Sequence, residues 1–143
     1  MEHSRETFST LVYRVNKRLK QGLQEKLRDY DITTDQWIIL RKIALDSGKY
    51  NQRELADSCF KERAAITRMI DLMEKKQLIY RSTSLADRRE YLLYITDEGR
   101  SLYESTLERV SSEYDAIYEV LSKDEVEEAI MLLEKLERGL AEL

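Results

Sequence analysis

Residues 65–89 read AITRMIDLMEKKQLIYRSTSLADRR. As far as Lys76 the apolar residues Ile66, Met69, Ile70 and Met73 recur every three or four positions, the period of a helix buried along one side. From Leu78 the period shortens and Ile, Tyr and Thr take over, the composition of a strand. The stretch closes on Asp87, Arg88 and Arg89, a charged turn. Helix, strand and basic tip thus follow one another without a linker.

The outer face of the helix follows from its geometry. At about 100° per residue, the apolar row places Ala64, Arg68, Asp71 and Lys75 on the opposite side, with Thr67 beside them. Ala64 and Ala65 are small, so the helix can sink into the major groove of duplex DNA, where an alanine methyl can touch a thymine methyl. Thr67 can bond a base edge or a phosphate, and Arg68 can reach guanine or phosphate. Neighbouring residues at a hairpin tip diverge. One tip arginine can therefore enter a narrow minor groove while the other takes a phosphate or pairs with Asp87. A polar helix surface and a solubilising turn explain each feature alone; finding both in this order favours DNA.

The distribution of charge supports that reading. The net charge is −4, but residues 61–89 carry +4, with eight basic side chains against four acidic ones. Residues 97–143 carry −9, residues 1–31 carry +2, and residues 32–60 are neutral. The middle of the chain suits phosphate and the last third is repelled by it.

Outward from the opening stretch, helical signals dominate. Phe8, Leu11, Val12, Val15, Leu19, Leu23 and Leu27 form one apolar stripe, interrupted mildly by Gly22. Thr33 and Gln36 have capping-box spacing and open a helix with Trp37, Leu40, Ile43 and Ala44 that ends near Gly48. Asn51 and Glu54 give a similar signal for a short helix with Leu55, Ala56 and Cys59. After a turn at Phe60 and Lys61, the helix of the opening stretch spans about 62–76. Leu78–Ser84 and Tyr91–Thr96 read as a β-hairpin around the segment 85–90. Thr96 caps a fifth helix whose Tyr103, Leu107, Val110, Tyr114, Ile117 and Leu121 form a heptad seam. Ser122 and Glu125 cap a sixth, with Val126, Ile130, Leu133, Leu136 and Leu140.

Composition narrows the function classes. One cysteine excludes an internal disulfide and fits a reducing cytoplasm. No apolar run approaches the ~18 residues of a membrane span, and the polar start MEHSRETFST is unlike a signal peptide. The lone His3 lies near the terminus, away from Cys59, and no metal-ligand spacing occurs. Neither catalysis, metal nor cofactor is expected.

The stretches Leu55-Ala56-Asp57, Ala65 to Lys76, Leu78-Ile79, Asp87-Arg88-Arg89, Leu93 and Thr96-Asp97-Glu98-Gly99 together resemble the MarR family of bacterial transcription regulators. The resemblance covers essentially the whole chain. It implies a mainly α winged helix-turn-helix fold with a small β-hairpin wing, ordered α1-α2-α3-α4-β-wing-β-α5-α6. It also implies a homodimer on palindromic DNA, with the fourth helix in the major groove and a wing arginine in the minor groove. Many such proteins are repressors relieved by a small phenolic or lipophilic effector, and some respond to thiol oxidation. Redox-sensing members tend to carry their cysteine in the first helix, which has none here. Phe60, Glu62 and Gln77 depart from the family pattern at the turn, the cap and the end of the fourth helix.

A single domain over 1–143 is therefore expected, with 32–96 as its DNA-binding part and 1–31 and 97–143 as its helical dimerisation part. The residues assigned to DNA are Asn51, Arg63, Ala64, Ala65, Thr67, Arg68, Lys75, Asp87, Arg88 and Arg89. Tyr13, Trp37 and Tyr103 are the aromatic candidates for an effector site. The expected partners are double-stranded DNA and a second copy of the chain, with no membrane. The alternative is a winged helix used only for protein contacts.

Overall fold

The computed structural model describes residues 1–59, 61–84 and 86–143. Phe60, in the expected turn, and Leu85, at the start of the polar tip segment, lie outside the described residues. The order is α1 (Glu2–Leu27), α2 (Thr34–Leu45), α3 (Gln52–Cys59), α4 (Arg63–Lys75), β1 (Ile79–Thr83), β2 (Tyr91–Ile95), α5 (Asp97–Val120) and α6 (Lys123–Ala141).

Local chemistry sets the boundaries. Thr33 and Ser122 each complete a capping box, with Gln36 and Glu125 as the returning side chains. The Thr96 hydroxyl accepts from the Gly99 N–H and so starts α5. Gly99 has no substitute there, because an added Cβ would collide with the Leu78 carbonyl oxygen. α4 ends in a Schellman pattern, with Gln77 N–H bonded to Glu74 O and Leu78 N–H to Met73 O. Gln77 consequently sits at φ 63°, in the left-handed region where glycine is the unstrained choice.

β1 and β2 pair antiparallel from Ile79 opposite Ile95 to Thr83 opposite Tyr91. The α2–α3 connection covers the other edge of β2: Gly48 N–H donates to Leu93 O, and Leu93 N–H donates to Tyr50 O. The core joins Trp37, Leu40 and Ile43 of α2 to Leu55 of α3, Ile66, Ile70 and Met73 of α4, and Leu93 of β2. Leu23 and Leu27 of α1 and Tyr103 and Val110 of α5 close it.

The two long apolar rows are only partly used. On α1, Phe8, Leu11, Val12, Val15 and Leu19 are exposed. The heptad row of α5 is buried at Tyr103 and Val110 and exposed at Tyr114 and Leu121. On α6 only Val126 is buried, while Ile130, Leu133 and Leu140 stand open. No helix among the described residues is long and apolar enough to cross a membrane.

Candidate nucleic-acid interface

The residues assigned to DNA lie on two neighbouring surfaces, α4 with its approach and the hairpin tip. Ile66, Ile70 and Met73 anchor α4 by burial, which turns Ala64, Thr67, Arg68, Asp71 and Lys75 to solvent. Ala65 is half-buried at the edge of that face. Glu62 is the N-cap of α4 without a side-chain cap bond, and Arg63 is exposed beside it.

Internal bonds tie down part of this surface. The Thr67 hydroxyl donates to Arg63 O at 2.9 Å and accepts from Gln52 Nε2 at 3.0 Å. Gln52 Oε1 in turn accepts from Arg81 Nε at 2.8 Å. Arg81 spans two carboxylates of α4, with Nη2 on Asp71 at 2.6 Å and Nη1 on Glu74. Gln52 and Arg81, neither of them assigned to DNA from the sequence, join this surface: Arg81 turns inward onto α3 and α4. The available signal was the pair Asp71 and Glu74, two carboxylates on a helix meant for a polyanion, which call for a counter-charge.

Asn51, also assigned to DNA, is bonded within the fold. Its Oδ1 caps α3 by accepting from Glu54 N–H at 2.8 Å, and its Nδ2 donates to Glu90 Oε1 at 2.9 Å. Both ends of the amide are bonded within the fold, and Asn51 ties the start of α3 to Glu90, beside the hairpin tip.

Ser84 and Asp87 shape the tip. The Ser84 hydroxyl accepts from the N–H groups of Ala86 and Asp87 at 3.2 and 3.4 Å. Asp87 Oδ1 accepts from Arg89 N–H at 2.9 Å and faces Arg89 Nε at 3.5 Å. The Arg89 side chain nevertheless stays 94% exposed. Arg88 is exposed next to it.

Counting partners separates the basic residues of this region. Lys61 pairs with Asp35, Lys76 with Asp31, and Arg81 with Asp71 and Glu74. Arg63, Arg68, Lys75 and Arg88 take part in no ion pair among the described residues. The cations left for an outside anion are thus those of the α4 face and the tip.

The effector candidates are not brought together. Trp37 and Tyr103 meet in the core, with ring centroids 6.1 Å apart, and the Trp37 indole N–H donates to Thr106 Oγ1 at 2.8 Å. Tyr13 is 65% exposed on α1. Trp37 and Tyr103 are core residues, and the three form no common cleft. An open cleft of about 820 Å³ lies between the end of α1 and the start of α2, with Lys20, Glu25, Arg28 and Asp35 lining it beside Tyr30 and Ile32. Cys59 is a free thiol, half-buried against the core. No cluster of metal-ligating side chains occurs among the described residues.

Comparison with known proteins agrees with this geometry. The MarR family model matches residues 32–91. The HTH-type transcriptional regulator FarR of Neisseria gonorrhoeae is 35% identical over 117 residues, covering 82% of this chain and 77% of that protein. A mutant MarR from E. coli, complexed with operator DNA, superposes with a TM-score of 0.81 at 27% identity, covering 91% of this chain and 93% of that one. S. aureus MepR in its DNA-binding conformation shares the fold with a TM-score of 0.85 at 24% identity, covering 93% of this chain and 98% of that one.

Proposed function

Because this chain belongs to the MarR family of transcriptional regulators, we propose that it represses transcription by reading a palindromic operator as a homodimer. It is a DNA-binding regulator and not an enzyme. The observation that carries the operator reading is the partition of cations. In a chain of net charge −4, Arg63, Arg68, Lys75 and Arg88 are exposed without ion pairs among the described residues, beside the small residues Ala64 and Ala65.

In this reading α4 enters the major groove, with Ala64 and Ala65 permitting close approach and Arg63, Arg68, Lys75 and Thr67 meeting phosphates and base edges. Arg89 enters the minor groove. Its contact with Asp87 uses Nε and leaves the two terminal nitrogens for the groove floor, while Arg88 takes phosphate. Residues 32–96 are the reading part; 1–31 and 97–143 are the dimerisation part.

Dimerisation is supported by the open apolar groove between Phe8, Leu11, Val15 and Leu19 of α1 and Leu132 and Leu133 of α6. A contiguous exposed apolar surface of this kind marks an association site. Two copies related by a two-fold axis place two α4 helices about 34 Å apart, one turn of DNA. The bound dimer, in the cytoplasm, excludes polymerase from the promoter. A small phenolic or lipophilic effector would lower DNA affinity by its differential affinity for a conformer with another α4 spacing. The open cleft between α1 and α2, where Tyr30 and Ile32 stand beside polar side chains, is one place where an effector could bind.

Selection of bound duplexes from random DNA, repeated with phenolic compounds, tests the reading. A symmetric consensus that is lost with an effector supports it; recovery of random sequence contradicts it. Arg89→Ala should weaken binding to the selected duplex by about 1–3 kcal/mol. Unchanged affinity would exclude minor-groove insertion by Arg89.

A further inference from the structure

We infer that Arg81 is a charge-masking, positioning residue of the recognition surface. Its single positive charge is shared by Asp71 and Glu74 and offsets half of the negative charge that would otherwise confront DNA phosphates. The inference rests on the DNA reading above and deepens it.

Asp71 occupies the outward row of α4 between Arg68 and Lys75, and its side chain is 60% exposed. Glu74 borders the same row and is 39% exposed. Two free carboxylates there would oppose the cations on either side and repel the phosphate backbone. Arg81 reaches across from β1 with its own side chain only 21% exposed. Its three guanidinium nitrogens are divided among Gln52, Glu74 and Asp71, and its backbone N–H also faces Glu74 Oε1 at 3.4 Å. The guanidinium is thus committed to the protein and acts through the carboxylates that it holds. A planar fork is needed for this, since a single ammonium cannot serve three partners in divergent directions. The same side chain reaches Thr67 through Gln52, which couples the charge of α4 to the orientation of its central hydroxyl.

The test measures fluorescence anisotropy of a duplex selected from random sequence by the wild-type full-length protein, with each variant checked by thermal melting. Arg81→Met should weaken binding about tenfold or more, as like charges are brought together. Adding Asp71→Asn and Glu74→Gln to that variant should restore affinity to within about threefold of wild type, less than 1 kcal/mol. Asp71→Asn with Glu74→Gln in the presence of Arg81 should tighten binding at low salt by releasing the positive charge, and this arm stands even if Arg81→Met does not fold. An unaffected Arg81→Met, a triple variant as weak as the single one, or weaker binding by the double variant would overturn the mask and leave the DNA reading intact. A wild-type protein that binds no duplex would overturn both.

Discussion

The winged part of the chain and the outer ends of its long helices use apolar residues in opposite ways. In the winged part Leu55, Ile66, Ile70, Met73 and Leu93 are completely buried, and the polar side chains around them bond to one another. Along the first turns of α1 and most of α6, residues of the same type face water. The first region has its core covered within one copy, closed by Leu23 and Leu27 of α1 and Tyr103 and Val110 of α5. The second carries an apolar surface that one copy of the chain does not cover. In the proposed homodimer the reading surface would be preformed in each copy, and the spacing between two such surfaces would be set by the partner.

Breaking the second region should have the largest effect. Leu132→Glu combined with Leu133→Glu places charges in the open groove, where each leucine contributes about 2 kcal/mol when covered. Sedimentation should show a monomer that still melts cooperatively; a dimer of undiminished mass would place the seam elsewhere. Breaking the first region should unfold rather than dissociate. Ile66→Ala, at a site with no exposure, should cost about 2–5 kcal/mol by denaturant unfolding. A cost under about 1 kcal/mol would mean that α4 is not anchored as described.

Two smaller changes sharpen the contrast. Trp37→Phe removes the buried N–H donor to Thr106 and should cost about 1–2 kcal/mol by denaturant unfolding. Because Trp37 is the only tryptophan, wild-type fluorescence should also resist aqueous quenchers; ready quenching would return Trp37 to an open cleft. Gln77→Gly should stabilise the protein by about 1 kcal/mol, by relieving a side chain held at φ 63°. A destabilised variant would show that the Gln77 side chain does more than tolerate that conformation.

What was legible in the sequence follows the range of the interactions. Caps and periods are local, so the starts of α2, α5 and α6 and the strand pair could be read from Thr33, Thr96, Ser122 and the Tyr- and Ile-rich runs. Gln77 was legible as a departure from glycine, and its left-handed backbone gives that departure a physical meaning. The polar network was not legible, because Gln52 and Arg81 are 29 residues apart and meet only when β1 packs beside α3. For the same reason no local mark in the sequence shows the bond from Asn51 to Glu90, 39 residues away. Trp37 and Tyr103 carry no local mark that separates a core aromatic from a cleft aromatic; the bond from the indole N–H to Thr106 decides it.

The central claim is that the exposed cations of α4 and the tip meet DNA phosphates in a symmetric complex. The most direct measurement is the affinity of the full-length protein for its selected duplex across a KCl series. Each phosphate neutralised contributes about −0.9 to the slope of log K against log salt, so several contacts from each of two copies should give a slope steeper than about −4. A weak interaction insensitive to salt would contradict the account and favour a winged helix that serves protein contacts alone.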